Sequence, residues 1–174
     1  MFNRLTFLVK VAVTSLVLLC ACTSIDCPLD NVVECTYALY DSKSKAPMQL
    51  ADTLTVSTVK TNGADTILLN RLVGCRDFAL PMRHVSGADT LLFRLSNTWQ
   101  QHAVDTVIIA QEAVPYYEDL DCPASIFHTL ISAKAISHQP SATSPVTIDS
   151  IIITRPQVTY DNIENIRIYM HASY

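Results

Sequence analysis

The chain is 174 residues long, with apolar residues at 49% and charged residues at 16%, a composition that supplies one domain's core and excludes a disordered or coiled-coil chain. Acidic side chains number 16 against 12 basic ones, a formal net charge of −4, which argues against a nucleic-acid partner because such a partner needs a basic face. Only three glycines occur, Gly63, Gly74 and Gly87, too few and too scattered for a phosphate-cradling loop or a dinucleotide fingerprint.

Residues 1–22 read MFNRLTFLVKVAVTSLVLLCAC, with Arg4 and Lys10 ahead of an apolar run of about nine residues, 11–19. That run suits an export signal and is well short of the roughly 20 residues of a spanning helix. The closing Leu19-Cys20-Ala21-Cys22 resembles the bacterial lipobox, in which a leucine and a small residue precede a cysteine that is diacylated on sulfur and becomes the mature N-terminus. Ala21 fills the small position before Cys22, whereas Cys20 follows the bulky Leu19. The expectation is a lipoprotein signal peptide over 1–21, Cys22 as the lipidated residue, a short tether over 22–30 and one domain over 31–174. An ordinary secretory signal cut near Ala21 is the competing reading. Acyl chains contribute about 0.8 kcal/mol per buried methylene, so two or three of them form a stable anchor. Asp26 stands alone after the cysteine, where an acidic run would suggest the cell surface, so the expected address is the outer membrane, facing the periplasm.

Along the mature chain a phrase recurs: Ala51-Asp52-Thr53-Leu54, Ala64-Asp65-Thr66-Ile67, Ala88-Asp89-Thr90-Leu91, Val104-Asp105-Thr106-Val107 and Ile148-Asp149-Ser150-Ile151. The spacings are irregular, which excludes a solenoid. The physical reading is punctuation, with Asp closing a turn through its side chain and β-branched Thr opening a strand. Alternation and β-branched runs predict strands over 32–40, 52–60, 65–73, 77–80, 90–96, 106–111, 126–133, 148–154 and 163–171. A polar, proline-broken loop is expected over 137–145. With no helical period of useful length, the expected fold is all-β, an antiparallel two-sheet sandwich of about eight strands with immunoglobulin-like topology.

Beyond the signal four cysteines remain, Cys27, Cys35, Cys75 and Cys122. In an exported chain they read as two disulfides with three possible connectivities, since no pair has the spacing of a zinc knuckle or a redox motif. Cys27 and Cys122 each sit in an Asp-Cys-Pro triplet outside predicted strands. That match favours Cys27 with Cys122 and leaves Cys35 with Cys75.

The acidic cluster Glu118, Asp119 and Asp121 beside Tyr116 and Tyr117 is the candidate loop site for a cation or glycan, although it lacks the spacing of an EF-hand. Five histidines, His84, His102, His128, His138 and His171, are dispersed and form no metal motif. His128 alternates with apolar neighbours and is expected on an exposed strand face. There is no Gly-x-Ser-x-Gly elbow and no Ser-x-x-Lys, so the expectation is no catalytic residue, no resident metal and no cofactor. Trp99 and the tyrosines at 116, 117, 160, 169 and 174 offer a sugar-stacking platform or, as is commoner, ordinary packing.

A leading Asp-Cys-Pro, Tyr37-Ala38-Leu39-Tyr40-Asp41, Phe78-Ala79-Leu80-Pro81-Met82, the mid-chain Asp121-Cys122 and the closing Glu164-Asn165-Ile166-Arg167-Ile168-Tyr169 occur in that order. In this the chain resembles a family of uncharacterised Bacteroidota lipoproteins, a domain-of-unknown-function family. The resemblance spans nearly all of the mature chain. It supports the pairing of Cys27 with Cys122, which match the family's two usual cysteines, and it marks Cys35 and Cys75 as additions. It implies an accessory role beside an outer-membrane barrel protein. The functional expectation is a non-enzymatic, outer-membrane-anchored interaction module. Its alternative is a ligand-binding lipoprotein using the loop residues.

Overall fold

The computed structural model describes residues 27, 32–59, 65–97, 101–141 and 146–172. Cys22, the signal segment, Trp99 and Tyr174 lie outside the described residues. The described chain holds ten strands: β1 (Glu34–Asp41), β2 (Thr53–Val59), β3 (Asp65–Leu72), β4 (Asp77–Pro81), β5 (Gly87–Ser96), β6 (His102–Tyr116), β7 (Ser125–Ile136), β8 (Val146–Ile153), β9 (Gln157–Val158) and β10 (Ile166–Ala172). They form a four-stranded sheet, β4-β1-β10-β8, and a six-stranded sheet, β3-β2-β5-β6-β7-β9. The fold is the expected two-sheet all-β sandwich.

Two expectations need correction. The count is ten rather than about eight, partly because β9 is two residues long, too short to show alternation. The pairing is also not wholly antiparallel: β1 runs parallel to β10, with Tyr37 opposite Ile166 and Leu39 opposite Ile168. Parallel neighbours need a long connection, and here everything between β1 and β10 supplies it.

Alternation decides which side chains meet in the middle. Cys35, Tyr37 and Leu39 of β1, Leu54 and Val56 of β2, and Leu91, Phe93 and Leu95 of β5 all point inward and are buried. Tyr37 stacks on Phe78 with ring centroids 5.0 Å apart and meets Phe93 edge-on at 6.5 Å. Each such side chain contributes on the order of 1.5 to 3 kcal/mol by leaving water. The closing motif also has a structural reason. Asn165 is 1% exposed; its Oδ1 accepts from Thr36 N at 3.1 Å and its Nδ2 donates to the carbonyls of Arg155 and Gln157 at 3.2 and 2.8 Å. One amide thus fixes the start of β10 against β1 and the β8–β9 turn.

Candidate functional site

At one end of the sandwich the loop 117–124 joins β6 to β7. Beneath it Tyr116 stacks on Phe127 at 4.4 Å, and Tyr160 packs edge-on against Phe127 at 5.0 Å while donating to Ser125 Oγ at 2.6 Å. Cys122 is bonded to Cys27 across 95 residues of sequence. Tyr116, Tyr117, Glu118, Asp119 and Asp121 are all exposed here, and one face of the Tyr116 ring is covered by Phe127. Among the described residues no three His, Cys, Asp or Glu side chains are grouped to hold a metal ion.

The other expected disulfide is absent. Cys35 and Cys75 are free and buried. The reason is placement: Cys35 is inside β1 opposite Leu80, whereas Cys75 precedes β4 and its thiol is turned to the carbonyl of Asp77. Burial pushes the Cys35 thiol up to about 12 and the Cys75 thiol up to about 11, so neither is a ready thiolate.

A second cluster surrounds Asp105, which the recurring phrase assigned to a turn and which is instead 0% exposed inside β6. Its Oδ1 accepts from the backbone N and from Nδ1 of His138, both at 2.7 Å; its Oδ2 accepts from Ile148 N at 2.7 Å and Thr147 Oγ1 at 3.1 Å. A buried carboxylate on an imidazole is the pair that orients a general base in hydrolases. Here the same carboxylate carries two backbone N–H groups and a hydroxyl as well. Its chemistry is to join β6 of one sheet to β8 of the other.

A third polar knot corrects the expectation for His128, which is 2% exposed. It shares the inner face of β7 with Leu130 and lies opposite Ala113 across the bulge that follows Ala110. Gln111 Nε2 donates to the carbonyls of Arg83 and Val85, so its Oε1 faces His128 Nδ1 at 3.0 Å and that nitrogen carries the proton. The strap so held brings Arg83 to Asp89 at 3.4 Å. Together they line one side of a cavity of about 210 Å³ that Tyr37, Leu68, Met82, Leu91 and Ile109 also line. Burial raises the Asp89 pKa against the opposing pull of Arg83.

At the opposite end of β6 a polar cleft of about 320 Å³ opens on the outer face of the six-stranded sheet. Thr53, Thr55, Arg94 and Ser96 line it from β2 and β5, Asn70 and Arg71 from β3, and Asn97 and His102 from the β5–β6 hairpin. Sequence reading did not bring these residues together. The available signal was the outward register of Thr53, Thr55, Arg94 and Ser96 once their neighbours are assigned to the core. The contribution of β3 depends on a bulge that alternation does not show.

No curated protein and no solved structure matches the chain. A family model described as a family of unknown function, DUF6452, matches residues 53–170. That span covers β2 to β9 and most of β10, together with Asp105, the arginine cleft and Cys122, and the chain belongs to this family.

Proposed function

We propose that this chain is a lipid-anchored outer-membrane lipoprotein of Bacteroidota type, held through Cys22, that acts without catalysis as an interaction or accessory module for an envelope partner, an outer-membrane barrel protein. The observation that carries the reading is the outer face of the six-stranded sheet. One row across it runs Ile67, Ser57, Leu92, Thr106 and Ile136, each opposite the next in the strand register. Ile67 is 58% and Ile136 62% exposed, and the 38% exposed Val104 flanks the row. A solvated sheet face normally turns polar side chains outward; here Ile67, Leu92 and Ile136 alternate with Ser57 and Thr106 along the row, and exposed apolar side chains grouped on such a face favour a protein contact. The lipobox supports the anchor, and the structural bonds that occupy Asp105 support a role without catalysis.

Co-purification from solubilised membranes tests the reading. The intact chain is expected to bring a stoichiometric barrel partner, and the double variant Ile67→Lys, Ile136→Lys to lose it while melting normally. Cys22→Ser is expected to lose fatty-acid label and detergent partitioning. A chain that purifies alone overturns the module. In that case the side-by-side exposure of Tyr116 and Tyr117 next to Glu118, Asp119 and Asp121 favours the ligand-binding alternative, read out as a glycan- or calcium-dependent rise in melting temperature.

A further inference from the structure

We propose that the cleft framed by Arg71, Arg94 and His102 binds an anionic saccharide, with the ligand's carboxylate or phosphate held by the two arginines. Charge is the first argument. Arg83, Arg155 and Arg167 each pair with a carboxylate, whereas among the described residues Arg71, Arg76 and Arg94 make no ion pair, and two of these three, Arg71 and Arg94, line the same cleft. Acidic side chains are not scarce in this chain, with 16 against 12 basic. Both side chains are exposed at this cleft, and the planar forks of their guanidinium groups match carboxylate and phosphate oxygens.

The second argument is backbone geometry. Arg71 sits at φ 52°, in the left-handed region that a long side chain rarely occupies. It lies where the β2–β3 register shifts, and its N–H donates to Thr55 Oγ1 at 3.2 Å. Bulges re-aim side chains, and backbone strain of this kind collects at binding sites. Here the bulge brings a β3 arginine to the cleft that Arg94 also lines.

The lining names the rest of the ligand. Thr53, Thr55, Ser96 and Asn70 offer hydroxyls and an amide, the partners of sugar hydroxyls. Asn97 itself is fixed beside the cleft, its Nδ2 donating to Gln101 Oε1 at 3.0 Å and its Oδ1 accepting from Gln101 N at 3.1 Å. A cleft of about 320 Å³ falls at the small end of the roughly 300 to 1,000 Å³ range of ligand sites and fits one or two sugar rings.

Calorimetry on the full chain tests this with three probes: digalacturonic acid for a uronate, glucose 6-phosphate for a sugar phosphate, and maltose as the neutral control. One anionic probe is expected to bind and maltose not to; which anionic probe binds identifies the source of the charge. Binding should weaken as sodium chloride is raised. Arg94→Gln, on a regular and exposed strand position, should weaken it by about tenfold or more without moving the melting temperature, and Arg71→Gln likewise. Silence from both anionic probes, maltose binding as tightly as they do, or unchanged affinity in both arginine variants overturns the proposal. The barrel-partner reading stands or falls separately, on co-purification.

Discussion

At the scale of single residues, a titratable side chain does opposite things according to whether it lands in a turn or in the core. Asp41 is a turn aspartate in the full sense: its Oδ1 accepts from Lys43 N, Ser44 N and Ser44 Oγ, and these bonds hold its carboxyl below the usual range. His128 is the reverse case, a titratable group in the core. Burial pushes its pKa below the ordinary 6.5, and neighbouring His84 pushes the same way. The folded chain therefore keeps His128 neutral while the unfolded chain takes up a proton near pH 6.5, so its contribution to stability is intact above that value and falls as pH drops through it. Asp52 and Asp89, raised by burial, act in the other direction, contributing more when protonated and less as pH rises through their folded values. The informative quantity is thus a difference between variants. His128→Asn keeps a donor for Gln111 and removes the titration; its melting temperature should fall less between pH 7 and pH 5 than that of the native chain. Equal slopes would show that His128 is as free to protonate in the fold as out of it.

Elements explain which parts of the fold were legible. Strands whose inner faces are apolar at every second residue, such as β1 and the second half of β5, announce themselves by alternation. The long strands announce only their middles, 106–111 of β6 and 126–133 of β7. β6 runs from His102 to Tyr116, beyond the expected 106–111 at both ends, and Asp105 reads as turn punctuation. Asp105 points inward because β8 and the segment at His138 present N–H groups there, and that partner set comes from residues 33 to 43 positions away. Local pattern cannot show it. The arginine cleft was hidden for the same reason, because one wall comes from a bulge. Asp105→Asn should lower stability by about 2 to 4 kcal/mol, since an amide nitrogen would face donors that a carboxylate oxygen now accepts. The same change at Asp65, exposed at the first residue of β3, should stay within about 0.5 kcal/mol. Denaturant unfolding of the two variants side by side checks the contrast, and similar costs would return Asp105 to the role of a turn residue.

For the whole molecule, the family span and the folding unit differ. The model matches 53–170, but β1 lies between β4 and β10 in the four-stranded sheet, so a domain without residues 34–41 would have a slot in place of an interior strand. The bond from Cys27 to Cys122 reaches further still, tying the segment before β1 to the loop after β6. Cys22 is five residues before Cys27 in sequence, a covalent reach of at most about 18 Å, so an anchor there would hold the loop 117–124 near the membrane. The 15 residues of β6 then set the arginine cleft about 46 Å away along the strand. Closing a 95-residue loop restrains the unfolded chain by about 4 to 5 kcal/mol in the chain-entropy account. Replacing both Cys27 and Cys122 by Ser should therefore cost several kcal/mol of unfolding free energy. Affinity at the distant cleft should not change, because the substitution acts on the unfolded ensemble. Thiol counting completes the test. Among Cys27, Cys35, Cys75 and Cys122 of the native chain, none should react with a water-soluble reagent until denaturant is added, when Cys35 and Cys75 appear together. A peptide linking Cys35 to Cys75 would instead mean that β1 and the segment before β4 lie closer in solution than their present register allows.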